Sequence, residues 1–506
     1  MFGSLGEILP HAARRFGGRT ALVFEGRTVS FAELNDLSDR IAAGLVAQGI
    51  QPGDRVSLYA ANSWEWIVAY HGVLKMGGVV NPLNMMLTPS EAEYAMNDCG
   101  ARAVFTTSDK APGIADIGQR TQVKDIIVFG SNGPPGTTAF DEMLRRFEPG
   151  FTVVPVDPDA LSTIGYTSGT TGHPKGAMLS HRAIVMNVAL TAVMHVRTAA
   201  DVVVSALPCA HVYGNVVMNG ALAYGSTLVL HKAFNEQAVL ESIQRHKATM
   251  LEGVPTMYMY LLNYPELGRY DLSSLTRCTV GGQTMPVAKM QQVEAAFGCP
   301  LVELWGMTEL GGLGTTHTAY GPHTLGSIGV PLPHVEARIA RVGDAGTTQP
   351  TGEVGELMVR GPIVMKGYYG REEATRETIE PDGWLHTGDL AYRDPDGNIF
   401  IVDRAKDMII TGGYNIYPAE LERVIAQHPS VAMVAVGGLP DEMRGELAVA
   451  YIVAAQGRTV DAEEIIAFCR QQLAAYKVPR AVKVVPDLPK TSTGKIMRRE
   501  LKNMAV

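Results

Sequence analysis

Thr167-Ser-Gly-Thr-Thr-Gly-His-Pro-Lys-Gly176 is a run of hydroxyls and glycines closed by a lysine. Gly169, Gly172 and Gly176 free the backbone to bend and expose N–H groups, Thr167, Ser168, Thr170 and Thr171 add hydroxyl donors, and Lys175 adds positive charge. Such a stretch suits a polyphosphate. It is not the ordinary nucleotide P-loop, because the lysine follows Pro174 and is followed by Gly176 rather than by Ser or Thr. A Gly/Thr-rich run alone is more often a solvated loop, so the reading depends on what accompanies it along the chain.

The totals set the frame. At 506 residues the chain is too long for one ordinary domain, and 46% hydrophobic with 19% charged residues is globular rather than disordered. A formal charge of −8 argues against nucleic acid as a partner, since phosphate-backbone binding needs a basic surface. The five cysteines (Cys99, Cys209, Cys278, Cys299, Cys469) are scattered and odd in number, which supports neither a disulfide framework nor a zinc knuckle and fits a reducing cytoplasm. The N-terminus reads as a short amphipathic helix rather than a signal peptide. Residues 202–230 carry no Asp, Glu, Lys or Arg, but Pro208, His211, Gly214, Asn215 and Gly225 interrupt them. They read as strand, loop, helix and strand in a buried core, so no transmembrane segment is expected.

Strand and helix signals alternate from residue 18 onward, which is the pattern of layered α/β architecture. Thr20-Ala-Leu-Val-Phe reads as a hairpin arm, Ser30-Phe-Ala-Glu and Ser180-His-Arg-Ala open helices, and residues 130–136 form a linker. Further on, Leu207-Pro-Cys-Ala-His-Val-Tyr-Gly214 precedes a helix. Cys278-Thr-Val-Gly-Gly-Gln-Thr-Met-Pro286 ends a strand in glycines, where a flat ligand can lie against the backbone. Leu301-Val-Glu-Leu-Trp-Gly-Met-Thr-Glu309 and Gly383-Trp-Leu-His-Thr-Gly-Asp389 each end on a carboxylate. Asp403-Arg-Ala-Lys-Asp-Met-Ile-Ile-Thr-Gly-Gly-Tyr-Asn-Ile-Tyr-Pro-Ala-Glu420 marks a change of domain, after which a self-contained α+β unit begins. Its signals are a helix after Pro418, strands at 431–436 and 447–453, and a cap at Asp461. Leu488-Pro-Lys-Thr-Ser-Thr-Gly-Lys-Ile-Met-Arg-Arg499 closes the chain, with Lys490, Arg498 and Arg499 read as a solvated face.

In this order and spacing, the segments resemble the motifs of the adenylate-forming superfamily, which includes acyl-CoA synthetases, nonribosomal adenylation domains and luciferases. The resemblance covers nearly the whole chain. It implies an α/β fold: a large multi-subdomain N-terminal domain with layered sheets over residues 1–403, and a small mobile α+β lid over residues 404–506, hinged near Lys406. It further implies that Thr167, Ser168, Gly169, Thr170, Thr171, Gly172 and Lys175 hold phosphates and that Gly281, Gly282, Gln283 and Gly306 line the adenine. Trp305 replaces the commoner tyrosine, offering a flat face to the base without the hydroxyl contact. Thr308 would contact phosphate oxygens, Glu309 would hold Mg²⁺, Asp389 and Arg404 would bind the ribose, and Lys495 would reach into the site during adenylation. His211, Tyr213, Gly214 and Gly311 would surround the acyl pocket, with His211 at its mouth. Gly412, Gly413 and Tyr414 would face CoA.

The chemistry so implied is activation of a carboxylic acid by ATP to an acyl-adenylate with loss of pyrophosphate, then transfer to the thiol of CoA. Both first-step reactants are anions, so fixed positive charge is needed where charge accumulates. The second step needs Lys495 out of the thiol's way, and a rotating lid resolves the conflict. With no Arg or Lys among the expected pocket residues, the acid should carry an uncharged tail: a fatty, alicyclic or aryl monocarboxylate rather than malonate. Four other readings share parts of this pattern. They are an acyl-AMP ligase loading a carrier protein, a nonribosomal module, a luciferase-like oxygenase, and a nucleotide-binding regulator without turnover. A nonribosomal module would need a carrier domain beyond Val506. The expected partners are ATP, CoA and a small carboxylic acid, and a homodimer is compatible with the sequence.

Overall fold

Short runs of β-branched residues such as Val202-Val-Val-Ser205, buried on both faces, make the centre of a parallel sheet. A computed structural model describes residues 2–504 except 119, 168–173, 405–406, 412–413, 442–444 and 492–493. Its described strands form four sheets. The largest runs, edge to edge, Val330–Pro331, Gly312–Thr316, Leu301–Met307, Arg277–Gly281, Met250–Gly253, Val202–Ser205, Thr227–Leu230, Thr20–Phe24 and Arg27–Ser30, parallel in the middle and antiparallel at both ends. A second sheet of seven strands ends in the antiparallel pair Leu161–Thr167 and Lys175–Ser180, in which Thr167 lies opposite Lys175. The third is an antiparallel sheet of five strands that includes Leu385–Arg393 and Ile399–Arg404.

Helices fill the space between the large sheets, and the sequence specifies where each begins. Phe31–Ala47, Trp64–Lys75 and His181–Met194 are each capped by a serine hydroxyl (Ser30, Ser63, Ser180) that accepts a backbone N–H of the first turn. Fully buried Trp66 and Tyr70 stack with ring centroids 5.4 Å apart in this layer. The charge-free stretch becomes the strand Val202–Ser205, the helix Val212–Tyr224 and the strand Thr227–Leu230, all inside the core. No described helix is long and apolar enough to cross a membrane.

Between Arg404 and Ile409 the chain leaves the third sheet and enters a fourth, built from Ile409–Thr411, Tyr414–Ile416, Val431–Asp441 and Gly445–Ala454, with Ala481–Val484 added in parallel. The helices Pro418–Ile425 and Ala462–Gln472 cover it, the second capped by Asp461, around a core of Leu421, Ile425, Val434, Ile452 and Ile465. This unit packs on the rest of the chain through Met259 of the helix Pro255–Leu262, clustered with Met433, Tyr451 and Leu501.

Candidate active site

The strands Leu161–Thr167 and Lys175–Ser180, which flank the glycine- and threonine-rich stretch in sequence, pair antiparallel. Ser168, Gly169, Thr170, Thr171 and Gly172 lie outside the described residues, but the two residues flanking them on the strands do not. Thr167 Oγ1 donates to the Lys175 carbonyl at 3.4 Å, and the Lys175 ammonium lies 5.2 Å from the centre of the Tyr368 ring. Tyr368 was not singled out from the sequence, where a tyrosine after Gly367 carries no signal of its own. It is brought here because residues 366–369 pair with the outer edge of Lys175–Ser180: Met178 N–H donates to Gly367 and Tyr369 N–H to Gly176. Its hydroxyl then donates to Glu309 Oε1 at 2.7 Å.

Glu309 and Thr308 occupy the single 3₁₀ turn that follows the strand Leu301–Met307, and Thr308 faces Gly165 so closely that a Cβ there would lie 3.0 Å from its methyl group. Glu309 is buried at 7% exposure, with Oε2 unpartnered among the described residues. From the same strand the Trp305 indole N–H donates to Asp389 Oδ2 at 2.8 Å. The sequence reading gave this position a flat face and no polar contact. The indole nitrogen in fact supplies a donor, and it serves a carboxylate that is 4% exposed. Asp389 Oδ1 meets Arg404 Nε at 3.1 Å across the register of Leu385–Arg393 and Ile399–Arg404. Gly306 is there for room: a Cβ would strike the Gly312 carbonyl at 2.1 Å, closing the approach of two strands.

Lys495 reaches this cluster from the far end of the chain. Gly282 has a left-handed φ of +95°, and a side chain there would lie 3.0 Å from Lys495 Cε. Lys495 is half-buried as a whole residue, but burial, reinforced by the neighbouring Arg404 charge, lowers its pKa to about 8 against the opposing pull of Asp389 and Glu309. The turn that carries it is fastened to the large domain. Thr256 Oγ1 donates to the Gly494 carbonyl at 2.8 Å, and the Gln283 amide accepts from Ile496 N–H at 3.0 Å and donates to the Ile496 carbonyl at 3.3 Å. Gln283, expected against the adenine, therefore grips the small C-terminal domain. Gly281 is packing: a Cβ would meet Leu304 Cδ1 at 2.2 Å.

Lys490 and Arg498 are corrections to the solvated-face reading. Lys490 is 15% exposed as a side chain and bonds the Tyr260 hydroxyl and Asp487, whereas Arg498, at 22%, is enclosed by Glu422, Asp403 and Asp407; Arg499 alone remains open. Lys289, 8% exposed, donates to the Val431 carbonyl at 2.9 Å, another fastening that no local motif announces.

Beside Thr308 lies a cavity of about 50 Å³ lined by Thr163, Tyr166, Ile184, His211, Asn215 and Gly311, among others, with no Arg, Lys, Asp or Glu among the described residues of its wall. His211 caps the helix Val212–Tyr224, its Nδ1 accepting from Tyr213 N–H at 3.3 Å, so its other ring nitrogen carries the proton. Burial and the Lys495 charge lower its pKa to about 3, which keeps the imidazole neutral. Tyr213 and Gly214 do not line this cavity. The Tyr213 hydroxyl is engaged by Thr279 Oγ1 at 2.6 Å and Glu252 at 3.2 Å, within a buried network that includes the Arg197–Glu252 ion pair. Gly214 allows close packing, since a Cβ would sit 2.2 Å from the Pro208 carbonyl. Helical phase explains the difference: His211 and Val212, at the start of the helix, line the cavity, while Tyr213 and Gly214 turn toward the core. Lys406, Gly412 and Gly413 lie outside the described residues. So does the side chain of Tyr414, whose backbone forms the strand Tyr414–Ile416.

Residues 9–369 match the family model for the AMP-binding enzyme, and residues 420–495 match the AMP-binding enzyme C-terminal domain. The chain belongs to the AMP-binding enzyme family. Relatives include a long-chain-fatty-acid–CoA ligase of Bacillus subtilis, 36% identical over 98% of this chain and 94% of the relative. A feruloyl-CoA synthase of an Amycolatopsis species is 37% identical over 98% of each chain. Among solved structures, an anthranilate CoA ligase in complex with anthranoyl-AMP superposes with a TM-score of 0.94 at 28% identity, covering 99% of this chain and 97% of that one. ATP-bound MatB from Rhodopseudomonas palustris gives 0.91 at 32% identity over 100% and 99%. Within this family the chain is an acid–thiol ligase of the AMP-forming, acyl-CoA synthetase class.

Proposed function

We propose that this enzyme converts a monocarboxylic acid with an uncharged tail, ATP and CoA into acyl-CoA, AMP and pyrophosphate, in two steps that share one crevice. The observation that carries the reading is the meeting of Lys495 with Asp389, Arg404 and Glu309 beside Gly282, close enough for its charge to act on His211, which lines a cavity with no charged side chain among its described wall residues. In the first step a carboxylate oxygen attacks the α-phosphorus, and the bond to the pyrophosphate oxygen breaks. Negative charge grows on oxygens that Lys495, Lys175 and Thr308 are proposed to meet, and fixed donors of this kind are effective because they need no reorganisation. Asp389, held by Trp305 and Arg404, is proposed to accept the ribose hydroxyls.

Glu309 is the carboxylate proposed to meet the Mg²⁺ that accompanies ATP. Among the described residues no three His, Cys, Asp or Glu side chains gather as a resident metal centre, and one open carboxylate oxygen suits an ion held mainly by phosphates and water. Bound there, the ion would neutralise phosphate charge and polarise the P–O bonds. In the second step the thiol needs the space of Lys495. We place a hinge where the chain passes from one sheet to another between Arg404 and Ile409, dividing a domain of residues 1–403 from a lid of 404–506. A reducing cytoplasm is proposed as the compartment, in keeping with five buried, free cysteines.

A panel of octanoate, benzoate and malonate, scored by AMP formation with and without CoA, tests the reading. AMP release that depends on free CoA, with octanoate or benzoate preferred, is expected. Preference for malonate refutes the uncharged-tail assignment, and AMP release indifferent to CoA refutes the acceptor.

A further inference from the structure

Arg498 belongs to a run that looks like a solvated basic tail, yet its guanidinium is shared among three carboxylates from three parts of the chain. Its Nε and Nη2 form a fork on Glu422, at 3.2 Å to Oε1 and 2.7 Å to Oε2. Its Nη1 reaches Asp403 Oδ1 at 3.3 Å and Asp407 Oδ2 at 3.5 Å. Glu422 lies on the lid helix Pro418–Ile425, and its Oε1 also accepts Val436 N–H at 2.8 Å. Asp403 lies on the last strand of the third sheet, beside Arg404, and is only 3% exposed. Its two oxygens accept Arg404 N–H at 2.7 Å and Ala419 N–H at 2.9 Å.

These contacts differ in what a turn of the lid would do to them. Arg498 and Glu422 would travel together, because both lie beyond the hinge. Asp403 lies before it and would stay behind. Arg498 is also three residues from Lys495, and the segment carrying both is tied back to the chain before it, with Thr491 N–H donating to the Lys495 carbonyl at 2.7 Å and Met497 N–H to the Pro489 carbonyl at 2.8 Å. The ties of Ile496 to Gln283 and of Arg498 to Asp403, directly after Lys495, restrict where Lys495 can go.

We propose that Arg498 is a positioning residue for adenylation: its contact with Asp403 across the domain boundary fixes the Lys495 turn in the crevice and is given up when the lid swings. The inference rests on the reading that Lys495 serves the first step and not the second. The planar fork matters as well as the charge, because an ammonium at this position could neutralise one carboxylate but not span three. A misplacement of the order of 1 Å can cost about 10²-fold in rate, so loss of this tie should weaken adenylation by at least about 10-fold.

The test compares wild type, Arg498→Gln, Arg498→Lys and Lys495→Ala as full chains. Two single-turnover half-reactions are followed: pyrophosphate release from ATP with octanoate (benzoate if octanoate is not turned over), and CoA thioester formation from the corresponding supplied acyl-adenylate. Acetylation of Lys495 by trace acetic anhydride, read by mass spectrometry against exposed Lys247, reports its placement independently of any acid. The expected result for Arg498→Gln is adenylation down by at least about 10-fold, thioester formation close to wild type and faster Lys495 acetylation, with Arg498→Lys in between. A parallel fall in both half-reactions, or unchanged adenylation and labelling, overturns the proposal. Lys495→Ala separates the two readings. If it leaves adenylation intact, the assignment of Lys495 fails; if it abolishes adenylation while Arg498→Gln does not, only the positioning role fails. Should Arg498→Gln not fold, Asp403→Asn removes the cross-boundary charge while keeping an oxygen for one of the two backbone N–H groups, and the same outcomes decide.

Discussion

Replacing Trp305 by Phe keeps an aromatic face and removes one donor, the indole N–H that lies 2.8 Å from Asp389 Oδ2. Asp389 is almost fully buried and keeps Arg404 on its other oxygen, so the variant leaves half of a buried carboxylate without a protein partner. A hydrogen bond to a charged group contributes about 1.5–3 kcal/mol, which at about 1.4 kcal/mol per decade corresponds to roughly 10- to 150-fold. ATP's ribose would take up part of the vacated capacity, so the lower end is expected: kcat/KM for ATP down by about 10-fold. The assay is steady-state pyrophosphate release with ATP varied, run as a double-mutant cycle with Asp389→Ala, because contacting residues show coupling that a cycle isolates. If Trp305 acts through Asp389, the cost of Trp305→Phe largely disappears in the Asp389→Ala background. An undiminished cost there, or no change in kcat/KM for ATP in the single variant, refutes the reasoning.

Burial and Arg404 lower the Lys495 pKa to about 8, and the protonated form is the one with charge to offer. The adenylation kcat/KM should therefore be level below about pH 8 and fall by about 10-fold per unit well above it, while thioester formation from supplied acyl-adenylate shows no such falling limb; a flat adenylation profile to pH 9.5 would contradict this. His386 has each ring nitrogen 2.9 Å from a carboxylate, Glu356 and Glu380. Burial alone would lower its pKa, but the hydrogen bonds and charges of Glu380 and Glu356 raise it overall. Its stabilisation is present below the unfolded-state pKa and is lost as pH rises through the folded one. His386→Gln should thus lower the melting temperature at pH 6 by about 2 °C and by clearly less at pH 9; an equal loss at both pH values would count against it.

The layered architecture was legible because its signals are local. Serine caps at 30 and 180, the valine-rich core strand Val202–Ser205 and the Asp461 cap each specify an element within a few residues of themselves. Thr308, Glu309, Trp305, Asp389, Arg404 and Lys495 could be collected from the sequence because each stands in a short stretch of distinctive order. What escaped was set by packing between distant segments. Tyr368 reaches Glu309 only because residues 366–369 pair with a strand nearly two hundred positions earlier. Gln283 grips Ile496 across 213 positions. Tyr213 was misplaced because motif proximity does not give helical phase, and its hydroxyl turned inward to Thr279. Arg498 was taken for surface because a run of basic residues near a chain end does not reveal the acids gathered around one of them.

The central claim is that one cation, carried by the lid, serves the first half-reaction and must be absent from the second. Single-turnover measurement of both half-reactions in Lys495→Ala tests it most directly. Adenylation should fall by at least about 10²-fold, the scale of one lost transition-state donor, while conversion of supplied acyl-adenylate to acyl-CoA survives. An equal fall in both would contradict the account.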